Sequence, residues 1–465
     1  MRAIKLAGIF FIVIFLYSCK KESFITSSLA RLSVSSDTLS FDTVFTTTGS
    51  ITKSFKIFNL NNQKLKLSKI KLMGGSASAF KLNIDGVPAT ESNDVVIEAN
   101  DSIYVFVLVN VNPSSANLPF IIRDSILLSY NGNNKYVQLQ AYGQNAIFLK
   151  NKHIVGNVSW TNALPYVILG ALSIDSGATL NIPPGVKVYS HANAPFLVDG
   201  SLKIAGTKNS PVVFSGDRLD PDYKDLPGSW PGIIINSNSK DNVLRFAIVH
   251  NAYQGFVVQG PSGNANPKLK LSQCVIDNVY DAGILAINSS IQADNCLVSN
   301  CGSNLLLALG GDYNFTHCTV ASYGNYFISH INPVLQVSNF ASQGNIVTVA
   351  PLNAIFRNCI IWGEGGAVDD EIVVYKQGTT PFTVIFDHDL YKAIHDPLNS
   401  TLTANIKNLP PLFDSINTSR QVYDFHFLRH PGSPAINKGV LTPFPRDLDD
   451  NPRANGLPDL GCYEL

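Results

Sequence analysis

Gln273-Cys274-Val275-Ile276-Asp277-Asn278, Asn295-Cys296-Leu297-Val298-Ser299-Asn300, His317-Cys318-Thr319-Val320-Ala321-Ser322 and Asn358-Cys359-Ile360-Ile361-Trp362-Gly363 align residue for residue. The first three cysteines are 22 residues apart, and Phe246-Ala247-Ile248-Val249-His250-Asn251 puts Ala247 at the same place. A second short apolar run follows at 255–258, 283–287 and 305–309, and a third precedes the next cysteine at 269–271 and 290–292. Runs this short, rich in branched side chains and bounded by Asn or Gly, read as strands.

Three strands in a coil of about 22 residues predict a right-handed parallel β-helix, a solenoid in which each coil stacks on the last. At a strand spacing of about 4.8 Å, a period-matched residue becomes an interior ladder, here Ala247, Cys274, Cys296, Cys318 and Cys359. Cysteine is small and apolar enough to fill a narrow axis. In-register Cβ atoms that point in parallel at ~4.8 Å lie beyond disulfide reach, so free buried thiols are expected. No CxxC pair or zinc-type His spacing occurs, which argues against a sulfur-bound metal. Asn278, Asn300 and Asn358 are expected at corners, where Asn tolerates left-handed backbone. The 41-residue interval from Cys318 to Cys359 reads as two shorter coils. The array is expected over 149–399, fading beyond Asp387 into an irregular segment and a terminal cap at 400–465.

The rest of the chain is consistent with an all-β protein. Lys+Arg and Asp+Glu balance at 34 each and charged residues are only 15%, so no global field draws nucleic acid. Residues 31–148 hold about seven short runs separated by Asn61-Asn62, Gly74-Gly75 and Asn131-Gly132, which predicts an Ig-like β-sandwich. Arg2 and Lys5 followed by an apolar run from Leu6 to Leu16 form a signal segment over 1–18, too short to span a bilayer.

Three stretches carry resemblances. Leu16-Tyr17-Ser18-Cys19 resembles a bacterial lipobox, which implies a lipidated Cys19, a 19–30 linker and membrane attachment through the lipid. Lys20-Lys21-Glu22 resembles Bacteroidetes-type lipoproteins and implies the cell envelope, at the outer membrane. Asp459-Leu460-Gly461-Cys462-Tyr463-Glu464, with Pro431-Gly432-Ser433-Pro434 and Arg446-Asp447, resembles the terminal motif of bacterial surface β-helix proteins. That motif implies a cap stapled by Arg446, Asp447, Arg453 and Asp459. The whole resembles surface lipoproteins with a pectate-lyase-like β-helix, a group with both enzymes and binding proteins. Asp37-Thr38-Leu39, Asp42-Thr43-Val44, Asp101-Ser102-Ile103, Asp124-Ser125-Ile126 and Asp414-Ser415-Ile416 resemble the O-glycosylation triplet of the same bacteria.

Chemistry could sit in two places. The 216–232 loop carries Asp217, Asp220, Asp222 and Asp225, enough oxygen donors to suggest Ca²⁺, with Trp230 available to stack on a sugar ring. Asp369-Asp370-Glu371 offers paired acids of the kind glycoside hydrolysis needs. Arg218, Lys224 and Arg245 are possible lyase bases, and His250 and His317 flank the cysteine strands. Neither stretch has a regular motif. The expectation is a non-enzymatic surface for glycans or a protein partner, against a polysaccharide lyase or hydrolase using the 216–232 loop. Replacing Cys19 with Ser is expected to move the protein from the detergent phase to the aqueous phase on phase partitioning. Retention in the detergent phase would contradict the lipid anchor.

Overall fold

The computed structural model describes residues 23–45, 50–111, 120–221, 223–344, 346–453 and 456–465. The signal segment, Cys19 and Asp222 lie outside the described residues. The chain forms two compact units, which divide between Asn145 and Ala146.

The first unit is a sandwich of two five-stranded sheets. One runs Leu32–Val34, Lys53–Asn59, Ser102–Val109, Phe80–Ile84, Val87–Pro88, and the other Thr38–Phe45, Asn133–Gln144, Phe120–Tyr130, Leu65–Leu72, Glu91–Ile97. Alternation decides which side is buried: in Leu65–Leu72, Leu65, Leu67, Ile70 and Leu72 point inward. They meet Phe41, Phe55, Phe80 and Val107 in one core. Pairing is antiparallel except that Thr38–Phe45 runs parallel to Asn133–Gln144, which joins the start and end of the module. Asp101 and Asp124 each accept the N–H of the following serine at 2.7 Å; Asp101 caps the start of Ser102–Val109, while Asp124 lies within Phe120–Tyr130.

The second unit is a parallel sheet of 26 strands wound into a β-helix with three faces. Face A includes Val212–Gly216, Ala247–His250, Val275–Asp277, Leu297–Ser299, Thr319–Ser322 and Ile360–Gly363. Face B includes Phe196–Val198, Ile233–Ile235, Phe256–Gln259, Leu335–Ser338 and Ile372–Tyr375. Face C includes Asn242–Arg245, Leu269–Ser272, Leu352–Arg357 and Phe382–Asp387. The chain visits A, B and C in turn, and the long strands Ala282–Asp294 and Ser303–Thr316 bend across both B and C.

Register places Val212, Ala247, Cys274, Cys296, Cys318, Cys359, Asp389 and Asn405 at one ladder position on successive coils. All four ladder thiols are free and buried. Each donates to a carbonyl two residues back, as Cys296 Sγ does to Asp294 O at 3.2 Å. From Ala247 onward the residue before each rung has a left-handed backbone, with φ of 46° at Phe246, 53° at Gln273, 51° at His317 and 55° at Asn358. Asn278 and Asn300 take the same conformation at the corner between faces A and B.

Two expectations about the array are corrected. The interval from Cys318 to Cys359 is one coil, because Thr319–Ser322 pairs directly with Ile360–Gly363. The extra length is a loop at 323–334 and a hairpin of Phe340–Gln343 with Ile346–Val349. Corner insertions are tolerated because loop-closure entropy grows slowly with length. Nor does the repeat end at 399: Thr401–Thr403 pairs on face C and Ile406–Lys407 on face A.

The C-terminal segment lies along the flank of the coils. Phe413, Phe425, Phe427, Leu448, Leu460 and Cys462 pack on the outward side chains of face A, including Leu297, Ala321, Ile360, Trp362 and Leu390. Face-A strands here are therefore buried on both sides, and Thr319–Ser322 and Ile360–Gly363 are buried throughout. The left-handed corner residues anchor this strap. Gln273 Nε2 donates to Asp447 O at 2.6 Å, Arg453 Nη2 to Asn295 Oδ1 at 2.7 Å, and Asn358 Nδ2 to Val440 O at 2.7 Å. His317 is fully buried, not exposed, with Nδ1 3.2 Å from Asp459 O. Gly461 has φ of 84°, and a Cβ there would meet Thr319 Oγ1 at 2.6 Å. Arg453 pairs with Glu464 at 2.8 Å, both nearly buried, while Asp447 and Asp459 accept backbone N–H groups of the strap. Arg446 is half-exposed beside Asp450.

Asp277, on the outward side of face A, accepts the Ser299 hydroxyl at 2.6 Å, and burial pushes its carboxyl up to about 6. Its folded value lies above the ordinary 3.8, so the folded chain keeps a proton that the unfolded chain releases. This group's contribution to stability is present below 3.8 and is lost as pH rises through about 6. In urea unfolding, Asp277→Asn is expected to gain stability relative to wild type as pH rises across that window. Parallel pH profiles for the two proteins would contradict this.

Candidate functional site

The corner between faces A and B is held by a chain of asparagines. Asn278 Nδ2 donates to Asn251 Oδ1 and to Asp225 O, each at 2.8 Å, and its Oδ1 accepts Asn325 Nδ2 at 2.8 Å. Asn278 therefore ties the 216–232 loop to the 323–334 loop, so both insertions stand over the same edge of the coils.

The three described acids of the 216–232 loop take separate partners. Asp217 lies 2.7 Å from His191 Nδ1, while Asp220 is buried and takes Arg218 Nε at 3.1 Å. Arg218 also sits 3.9 Å over the Tyr223 ring. Asp225 is exposed, with Lys224 3.9 Å away. Among the described residues no group of three or more His, Cys, Asp or Glu could hold a metal ion, and Asp222, the remaining acid of the suggested Ca²⁺ set, lies outside them. Trp230 is only 1% exposed and donates Nε1–H to His250 O at 2.9 Å. It is a core residue and cannot stack on a sugar, which corrects the sequence expectation; burying a large ring favours the coil interior. His250 is itself largely enclosed, and burial pushes its imidazole down. Arg245 lies apart from this loop, 3.6 Å from Asp450 of the strap.

The three consecutive acids point three ways. Asp369 is exposed, Asp370 accepts the His395 N–H at 2.8 Å, and Glu371 is fully buried with Oε1 2.9 Å from His330 Nε2. Two neighbouring acids on one strand start face opposite sides, which rules out their acting as a pair. His330 was not legible from sequence, since its partner lies 41 residues away on the next coil. Two glycines make room for the pair: a Cβ on Gly363 would overlap both Glu371 Oε1 and His330 Nε2, and one on Gly366 would overlap His330 O.

His330 lines an open cleft of about 790 Å³. Its walls include Tyr326, Phe327, Asn325, Ser329, Gly366 and Gln421. Where Asn325 meets Asn278 the edge continues to Tyr280 and Tyr253, which come from successive coils. Their rings stack at 5.6 Å and 25°, and both are about half exposed. Gly228 of the 216–232 loop packs against Tyr280, since a Cβ there would lie 3.4 Å from Tyr280 Cβ. Face B, beside this edge, turns an aliphatic column outward: Leu197, Ile234, Val257, Leu285 and Leu306 are in register. The outward rows of face B beside this edge thus present no acid or base over five coils.

A pectate-lyase-like β-helix family model matches residues 152–264. Together with the winding described above, this shows that the chain contains a pectate-lyase-like parallel β-helix domain. Solved structures similar to it include a family 123 glycoside hydrolase from Clostridium perfringens, 11% identical over 28% of this chain and 30% of that one, with a TM-score of 0.20. The VesB protease of Vibrio cholerae is 16% identical over 24% of this chain and 31% of that one, at 0.17. The catalytic unit of a family 87 α-1,3-glucanase from Streptomyces thermodiastaticus is 9% identical over 76% of this chain and 89% of that one, at 0.24. The chain spans about a third of the length of the first two structures. At these scores the three carry no argument about chemistry. No curated protein matches the sequence.

Gly363→Ala is expected to separate His330 from Glu371 and destabilise the β-helix by about 1–3 kcal/mol in urea unfolding. Gly432→Ala, with nothing near its Cβ, serves as the neutral control. Equal midpoints for the two variants would contradict the tight seating of the pair.

Proposed function

We propose that this chain is a cell-envelope lipoprotein, anchored through Cys19, whose β-helix binds glycan without turning it over. The observation that carries the reading is the Tyr253–Tyr280 pair, two half-exposed rings fixed on successive coils beside an open cleft. Rigid aromatic faces offer large contact area at low entropic cost, and a sugar ring presents C–H groups to such a face. The cleft lining adds hydroxyl and amide groups from Asn325, Ser329, Thr418, Ser419 and Gln421, and its one titratable imidazole is engaged by Glu371. Among the described residues the lining holds no lysine, arginine or carboxylate. That supports an uncharged glycan over an acidic one, which would call for cationic partners or a bound cation.

The competing chemistry is polysaccharide lyase or hydrolase action through the 216–232 loop. Its support is weakened by the separate pairing of Asp217 and Asp220 and the burial of Trp230. One experiment separates the two. Affinity electrophoresis of the full chain in gels carrying single neutral polysaccharides is expected to show retardation by at least one of them. Tyr253→Ala/Tyr280→Ala is expected to weaken that retardation while keeping the melting temperature. Release of reducing ends or unsaturated products by wild type, lost in Asp217→Ala/Asp220→Ala, would replace binding with catalysis.

A further inference from the structure

Face C carries an opening of a different kind, on the far side of face B from the tyrosine edge. It is a cleft of about 560 Å³ walled by 262–267 and floored by outward side chains of successive coils. Register defines the floor: Gln292 stands beside Asn314, and Ser290, Asp312 and Asn353 form a second column. Equivalent positions recur at one strand spacing, about 4.8 Å, so a polymer lying along the coils meets a repeating row of polar groups.

The wall is pre-formed. Asn264 Nδ2 and Asn266 Nδ2 both donate to the Asp241 carboxylate, at 2.9 and 2.8 Å, and Asn264 Oδ1 accepts the Asn266 N–H at 3.0 Å. These bonds hold the Asp241 carboxyl below its usual range. Asn353 Nδ2 donates to Asp312 Oδ1 at 2.7 Å, which fixes the second column. Binding capacity is left over: the Gln292 side chain makes no hydrogen bond to other described residues, and the Asn314 side chain uses only Oδ1, toward Thr316.

We infer that this cleft is a second glycan subsite, which takes an uncharged oligosaccharide along the coil axis through Gln292, Asn314, Asp312 and Asn353. Amide and carboxylate groups together can both donate to and accept from hydroxyls, which suits a sugar chain. Among the described residues the lining holds no lysine, arginine or histidine, and the Asp312 carboxylate repels a polyanion. An extended peptide finds no ladder here, because the face-C strands are already paired on both sides. Independence from the tyrosine edge follows from position, since none of these residues lies at the corner of faces A and B.

The test is isothermal titration of the full chain with cellohexaose, maltohexaose, chitohexaose and polygalacturonate. At least one neutral oligosaccharide is expected to bind, and Gln292→Ala/Asn314→Ala is expected to weaken a binding component by about tenfold or more. Both positions are solvent-facing, so an unchanged melting temperature is expected to confirm folding. In Tyr253→Ala/Tyr280→Ala the face-C component is expected to persist, which separates this inference from the tyrosine platform. Absence of saturable binding by all three neutral oligosaccharides would overturn it. So would wild-type affinities in the Gln292/Asn314 variant, or tighter binding of polygalacturonate at this cleft.

Discussion

Hydrogen bonding of each strand to the equivalent strand one coil away governs this molecule. Because pairing is parallel and in register, a side chain at one rung touches its equivalents above and below, and this interior column favours small residues. That is why Val212, Ala247 and four cysteines share a column, and why the change to Asp389 and Asn405 comes at the last coils. There Asp389 is buried and accepts the Cys359 N–H at 2.6 Å, so the polar rung substitutes backbone bonds for apolar contact. Length variation is pushed to the corners, where an insertion leaves the ladder undisturbed.

The three faces are consequently put to different uses. Face A is covered by the strap, whose anchors are the same left-handed corner residues that turn the chain. One row of positions thus shapes the coil and docks its covering. Faces B and C and the corner between A and B stay open to solvent, and the two clefts lie there. Their polar groups are aimed by hydrogen bonds within the protein, as Asn278 fixes both loops and Asp241 fixes the wall of the face-C cleft. Solvent-facing side chains held in this way lose little freedom on meeting a ligand.

The cysteine spacing made the β-helix legible because an interior column leaves a periodic trace in sequence. Spacing alone adds an insertion to the coil that carries it, so 318–359 reads as two coils where the strands form one. In sequence the strap reads as an end cap, yet Ile360-Ile361-Trp362 is apolar at consecutive positions, the mark of a strand buried on both faces. Trp230 reads as a loop residue because a loop tryptophan and a core tryptophan look alike in sequence until the corner is built. Glu371 was seen as one of three acids, while His330, which meets it from another coil, was invisible. Tyr253 and Tyr280 sit at equivalent corner positions after Asn251 and Asn278, and alignment of the repeats could have found them.

The central claim is that the coils stack directly, one rung per coil, through the whole array. Sulfur anomalous scattering from crystals of the protein tests it most directly. The account predicts that Cys274, Cys296, Cys318 and Cys359 sulfurs lie in one row at about 4.8 Å per step, with the last step no longer than the others. A Cys318–Cys359 interval of two steps, sulfurs off a common line, or any pair at the ~2.05 Å of a disulfide would contradict it.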